Sequence, residues 1–461
     1  MKTYELEATE EAVLDTIVKD PISRNKDLFR FIDILNSIDY GCSFALDGEW
    51  GSGKTFFVKQ AKAVFEATNS LTNNEKYSAI KKMWKIHEDR TGNALESTLA
   101  VYYDAWLNDN DVDPILSIVY EILKQIGNNY EIKSEFNKIE TLGTIGSDIV
   151  KHFTGIDVKK YFDEGKSVDY LKKIKNEKDI YQKVSTFFDY ILIERGNRLV
   201  IFIDELDRCK PDYAVRLLER IKHYFSNEKV TYVFSVNSLQ LQYTIKKYYG
   251  EGFDAVRYLD RFFDLHISMP KIDSEKYYNL IGFPNTSYVI DDVCKNVIDK
   301  YTFSMRETER YIRIVKMSVY NAIHNGKISG AGFSEEKGYA FIATYIAPIL
   351  IGARIADLDK YKKFVSGEDC SLLLNIVEEK VGRAFEQYML GRNETFDKDD
   401  KEKTLVHIND KLQDIYDAIF IESYKNGKYE KHIGDMSFSK ESKGRLIDII
   451  NLFSNITVLE D

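Results

Sequence analysis

The sequence predicts an α/β fold: a parallel sheet wrapped by helices on both faces, with a helical insertion and further helices after the sheet. Three observations carry this. Five short strand-like runs fall within the first 270 residues, with helical stretches between them. The first run opens into a glycine-rich turn, and the third ends in two adjacent carboxylates.

At 461 residues the chain exceeds what one core usually holds. Hydrophobic residues at 44% and charged residues at 30% describe a soluble, folded protein rather than a disordered one. The net charge of −10 disfavours a surface that is basic throughout for nucleic acid, though it leaves room for a local basic groove. Cys42, Cys209, Cys294 and Cys370 are scattered without a CxxC pair, which argues against a zinc site and against a secreted disulfide framework. The first eleven residues are acidic and carry no secretory signal, so a cytoplasmic location is expected. The apolar stretch from Gly338 to Ala353 falls short of the ~20 residues of a spanning helix and contains Pro348. It is expected to be a buried helix, and no membrane partner is expected.

In chain order the strands are Ser43–Asp47, Leu99–Asp104, Leu199–Asp204, Val230–Val236 and Phe263–Met269. Most are continuously apolar, as strands buried on both faces of a parallel sheet should be. After the first, Phe57, Ala61, Val64 and Phe65 share one helical face. After the third, Pro211 starts a helix whose stripe is Ala214, Leu217, Leu218, Ile221 and Phe225, with Arg216, Arg220 and Lys222 on the solvated side. A charged helical insertion fills about 108–196, so the core domain is residues 1–270. No strand signal persists beyond Pro270: residues 271–330 read as a small helical lid and 331–461 as a C-terminal helical domain. Within the latter, Thr395–Lys403 is a charged, exposed loop. Leu405, Ile408, Leu412, Ile415 and Ile419 then mark a helix packed inside its own domain, with too few heptads for a coiled coil.

Gly48-Glu49-Trp50-Gly51-Ser52-Gly53-Lys54-Thr55 fits GxxxxGK(S/T) between a strand and an amphipathic helix, the setting of a P-loop. Glycines let successive N–H groups face an anion, and the helix that follows turns its positive end towards phosphate. Residues 48 to 55 with Phe56 form the expected ATP cradle, in which Lys54 bridges the β- and γ-phosphates and the Thr55 hydroxyl enters the Mg²⁺ shell. Asp204 and Glu205 end a dry strand at the edge where open sheets bind ligands. Asp204 is expected to hold Mg²⁺, and Glu205 to orient the attacking water.

Three further residues are weaker candidates. Asn237, at the tip of the fourth strand, is either a sensor of the γ-phosphate or an ordinary turn asparagine. Before the fifth strand, Arg261, with Arg257 as runner-up, either reaches the ATP of a neighbouring copy or pairs with Asp260 or Asp264. Arg306, in the first turn of a helix that Ser304 can cap, either closes over the phosphates or is structural.

Together these residues resemble the KAP family of P-loop NTPases, in its bacterial, cytoplasmic form. Four features carry the likeness: Trp50 directly before the central glycine, the run Asp204-Glu205-Leu206-Asp207-Arg208-Cys209, the element Tyr103-Asp104-Ala105-Trp106, and the long insertion between the two Walker motifs. The likeness spans roughly residues 20 to 320. It implies the additional-strand fold, with the fourth strand between the two Walker strands, and nucleotide-driven switching. Bacterial relatives look like players in phage exclusion and other defence, and animal relatives are membrane-associated scaffolds. The chain departs from the pattern in three places: no membrane helix is visible in the insertion, Glu205 stands where aspartate is common, and Asn237 does the same. Asp207 and Arg208 match the motif, but spacing assigns them no job. Cys209 reads as a small buried hydrophobe.

The expectation is therefore a Mg²⁺-dependent ATPase acting as a switch in anti-phage defence. Its rivals are an ATP-binding scaffold with negligible turnover and a nucleic-acid-stimulated motor or repair ATPase. A protein or nucleic-acid trigger is unidentified, and self-association would run through Arg261.

Overall fold

The apolar runs become one five-stranded sheet in the computed structural model. The model describes residues 7–129, 196–283, 289–320, 334–377, 401–422 and 430–451, apart from isolated positions within them, and a few positions between. The strands are β1 (Cys42–Asp47), β2 (Thr98–Asp104), β3 (Arg198–Asp204), β4 (Val230–Val236) and β5 (Leu265–Ser268). Their order is β2-β3-β4-β1-β5 and every pairing is parallel. β4 lies between β1, which feeds the glycine-rich turn, and β3, which carries the acid pair, as the additional-strand fold requires. Register aligns Asp104 with Asp204, Asp204 with Ser235, and Asp47 with Val236, so the polar strand ends share one edge.

Period-two alternation splits the strands between two cores. Phe44, Leu46, Val200 and Phe202 face α1 (Glu10–Lys19), α2 (Asn25–Asn36), α3 (Lys54–Thr68) and α4 (Ser78–Thr91). Ala45, Leu199, Ile201 and Ile203 face α5 (Pro114–Asn129), α6 (Pro211–Tyr224), α7 (Ser238–Tyr249) and α8 (Ala255–Leu259). β3 and β4 are buried at every position. β5, at the edge, is mostly exposed and shorter than its apolar run predicts. Phe263 leaves the strand to pack against Phe234, ring centroids 5.2 Å apart. Phe225 and most of the insertion, including Tyr170–Asp179, lie outside the described residues.

The chain divides into two compact units, the second beginning at Tyr278. Ile290, Val297 and Tyr311, from the stretch read as a lid, share one core with Ile346, Leu350, Ile415 and Ile449, from the stretch read as a C-terminal domain. Ile408 packs against that core, in which Leu412, Ile415 and Ile419 are buried. Two expectations fail here. A strand pair does occur beyond Pro270: β6 (Glu430–Ile433) and β7 (Met436–Ser439) form an antiparallel hairpin turned at Gly434, which has φ 56°. Four-residue strands are too short to show an alternating pattern, and Gly338 admits the hairpin because a Cβ there would collide with the Ser437 carbonyl. The charged run at 395–403 also does not end in a loop, since Lys401 already begins the helix Lys401–Phe420; residues 395–400 lie outside the described residues.

Among the described residues, one helix, Glu335–Ala356, is long and apolar enough to cross a membrane, and 72% of its apolar window is buried in the fold. It is longer than the stretch from Gly338 to Ala353 suggests. A π-helical turn at Ile342–Ile346, closed by the Ala347 N–H on the Ile342 carbonyl, widens the backbone just before Pro348.

Candidate functional site

The glycine-rich turn grows directly from β1. The Gly48 N–H donates to the Val236 carbonyl at 3.1 Å and continues the strand pairing. A Cβ on Gly48 would lie 2.8 Å from both Met269 Cβ and Ser52 Oγ. Gly51 (φ 81°) and Gly53 (φ 84°) hold left-handed conformations that a side chain disfavours, and they bring the backbone round to start α3 at Lys54. The positive end of α3 therefore points into the turn. Lys54 is only 9% exposed, and its Nζ donates to the carbonyls of Gly48 (2.6 Å) and Glu49 (3.1 Å). Burial pulls its pKa below the ordinary lysine range, while Asp207, Asp204 and Glu205 oppose that fall. Thr55 is half-buried beside it on the first turn of α3. Phe56 turns into the core behind the cradle.

Across the crevice, Asp204 is 0% exposed. Its Oδ2 accepts from the Tyr102 hydroxyl at 3.0 Å, and its Oδ1 has no partner. The Ser52, Ser235 and Ser238 hydroxyls and Asp207 Oδ1 are likewise buried without partners. Buried polar atoms are nearly always paired, so a group of unpaired ones around a glycine turn marks a place built for a ligand. Among the described residues no cluster of three or more His, Cys, Asp and Glu could hold a metal by itself. The Asp204 Oδ1 and Thr55 hydroxyl oxygens are hard donors of the kind Mg²⁺ takes one or two of, with water and phosphate completing its shell.

Glu205 follows in the left-handed region at φ 60° and caps the short turn Leu206–Arg208. Burial, and then Asp204, push its carboxyl up to about 7, while Arg208 works against them. Its carboxylate pairs with Arg208 Nε. Asn237 lies between the two halves of the site, at the tip of β4, where its Oδ1 accepts from the Gln240 N–H at 3.2 Å and caps α7.

Arg261 lies at the other end of the sheet. It lines a cleft of about 430 Å³ with Cys42 and Val230, the first residues of β1 and β4. The six residues of β1 separate that cleft from the glycine turn, about 20 Å at ~3.3 Å per residue. Arg261 therefore cannot touch a nucleotide held by its own chain. Its backbone carbonyl accepts from Lys222 Nζ. Asp264 caps the Ser43 N–H at 2.8 Å, and Asp260 faces His266 at 3.8 Å. Arg257 is 3.4 Å from Asp254 on the surface. Arg306 is exposed on the helix Met305–Val315, opened by a full capping box between Ser304 and Glu307.

Three contacts were not read from the sequence. Arg24, 6% exposed, donates to the carbonyls of Ser52 (3.4 Å) and Pro270 (2.9 Å) and lies 5.3 Å from the Phe57 ring centroid. Burial pulls its pKa down to about 10. Trp50 Nε1 donates to Asp207 at 2.5 Å. Arg208 lies over both Trp50 and Trp106, 5.7 and 5.6 Å from the ring centroids. All three join segments far apart in sequence, so no local signal could have revealed them.

The uncharacterized protein MJ0182 of Methanocaldococcus jannaschii is 28% identical to this chain, over 28% of this chain and 84% of that protein. The solved Aeropyrum pernix ORC2 protein, in ADPNP and ADP complexes, aligns over 94% of each chain at 11% identity with a TM-score of 0.31. Residues 26–321 match the KAP family P-loop domain, a stretch that holds the glycine turn, the acid pair and the inserted fourth strand. The chain belongs to the KAP family of P-loop NTPases and carries its nucleotide-binding core.

Proposed function

We propose that this chain is a Mg²⁺-dependent ATPase. The observation that carries the reading is the bare, fully buried Oδ1 of Asp204, next to Glu205 and across the crevice from Lys54. An unpaired carboxylate oxygen in a dry site is costly unless a cation or donor meets it. Mg²⁺ would neutralise charge on the phosphate chain when bound. Asp204 and the Thr55 hydroxyl would hold it. Lys54 would exchange the Gly48 and Glu49 carbonyls for phosphate oxygens. Glu205 would orient the attacking water and take its proton. Asn237 would contact the water or the γ-phosphate through its side-chain NH₂, while its Oδ1 keeps the cap on α7. Arg261 would act only on the nucleotide of another copy.

The test is phosphate release by the purified chain with ATP, in Mg²⁺ and in excess EDTA, with and without added DNA or RNA. Turnover that needs Mg²⁺ supports the reading, and stimulation by a nucleic acid would identify a trigger. ATP binding without Mg²⁺-dependent release contradicts it and leaves a scaffold. Family likeness supports a cytoplasmic switch in anti-phage defence. Plaque counts unchanged between a null strain and its complement, across a broad phage panel, would remove that role.

A further inference from the structure

Glu205 is engaged in this structure, and its partner is itself held. The carboxylate pairs with Arg208 Nε three residues on, in a turn closed by the Arg208 N–H on the Glu205 carbonyl at 3.1 Å. The guanidinium stands over two indoles from different segments: Trp50 of the phosphate loop and Trp106 of the turn after β2. Trp50 is fixed in turn by Asp207 at 2.5 Å, and the Trp106 turn by the Ala105 N–H on the Asp204 carbonyl at 3.0 Å. Both rings remain open to solvent, at 44% and 53% exposure, so neither is simply core. An arginine over aromatic faces is oriented by their negative quadrupoles, and here its fork turns to the one acid that the proposed hydrolysis needs free.

We propose that Arg208 is a positioning residue that holds Glu205 off the lytic water while the two are paired, and that Trp50 releases this clamp when the phosphate loop closes on nucleotide. This rests on the ATPase reading of Glu205 given above. The guanidinium holds the carboxylate through one of its oxygens, fixing its orientation and lowering its basicity towards water, so the pair sets a low resting turnover. Glu205 and Arg208 side chains are 19% and 24% exposed, so water can replace the pair at modest cost. The loop reports its state because Trp50 belongs to it: movement of its backbone around a phosphate chain shifts one wall of the clamp and the Asp207 bond together. No new bond is made or broken covalently, and the clamp moves no proton.

The experiment uses the full chain with three readouts: affinity for a fluorescent ATP analogue, steady-state hydrolysis, and tryptophan emission. Trp84, 2% exposed in the α4 layer, supplies a constant background to the emission of Trp50 and Trp106. Mg²⁺-ATP is expected to shift the wild-type emission. Arg208→Ala is expected to show the shifted emission without nucleotide and to hydrolyse about tenfold faster at saturating ATP, equivalent to about 1.4 kcal/mol of restraint. Arg208→Lys should move both readouts back towards wild type, and Trp106→Ala, which removes only a half-exposed wall, should move both in the same direction as Arg208→Ala. Hydrolysis by Arg208→Ala and Trp106→Ala that is unchanged or slower, with analogue binding intact, overturns the proposal in favour of a fixed structural pair. Wild-type emission unmoved by saturating Mg²⁺-ATP overturns it too. If every variant binds the analogue and none hydrolyses beyond Glu205→Gln, the ATPase reading fails, and the emission shift alone then decides whether the clamp opens.

Discussion

β3 carries a buried charge at each end, and the two are treated in opposite ways. Arg198, at its start, is 9% exposed and donates to the carbonyls of Leu35 (3.1 Å) and Asn36 (3.2 Å) and to the Thr231 hydroxyl (3.1 Å). Asp204, at its end, is 0% exposed with one oxygen bonded to Tyr102 and the other bare. The first is a cation satisfied by the fold and locks α2 against the sheet. The second is an anion that the fold leaves unfinished. On the proposed reading stability and function lie at opposite ends of one strand, and hydrogen bonding separates them better than burial does.

Substitutions at the two ends should therefore break different things. The largest effect is expected for Asp204→Asn: hydrolysis falls by about a hundredfold or more, while the unfolding midpoint holds or rises, because a costly buried charge is gone. Thermal melts and phosphate release on the same preparation check both halves. Arg198→Met should do the reverse, losing about 2–4 kcal/mol of stability by denaturant titration, with hydrolysis per folded molecule retained. Gly48→Ala sharpens the comparison at the loop. Its Cβ would meet Met269 and Ser52 at 2.8 Å, so ATP affinity is expected to drop about tenfold, or about 1.4 kcal/mol, by calorimetry. Tyr102→Phe removes the hydroxyl that donates to Asp204 Oδ2 and should cost about 1 kcal/mol of stability. Arg261→Ala has the smallest expected effect: at high dilution it should not alter hydrolysis, and any loss should emerge only as protein concentration rises.

Much of this was legible because the signals are local. β1 to β4 match their apolar runs to within a residue, since unbroken apolar runs leave a buried parallel strand little freedom at its ends. The glycine turn and the acid pair are contiguous motifs whose chemistry is written in adjacent residues. Arg24 was not legible: it reaches Ser52 and Pro270, 28 and 246 positions away, and its role exists only once β1 and β5 are neighbours. The same holds for Arg208, whose two tryptophan walls come from opposite sides of the crevice. β5 is shorter than its apolar run because such a run does not say where an edge strand gives up its side chains to the core. The hairpin β6–β7 leaves no mark in the sequence because four-residue strands carry too little pattern.

The central claim is that Glu205 does chemistry on a nucleotide held by the glycine turn. The most direct measurement is ATP hydrolysis by wild type and Glu205→Gln, with ATP binding measured on the same samples. The account predicts equal binding and turnover reduced by about a hundredfold or more in the variant. Equal binding with equal phosphate release would contradict it and return Glu205 to a purely structural place at the end of β3.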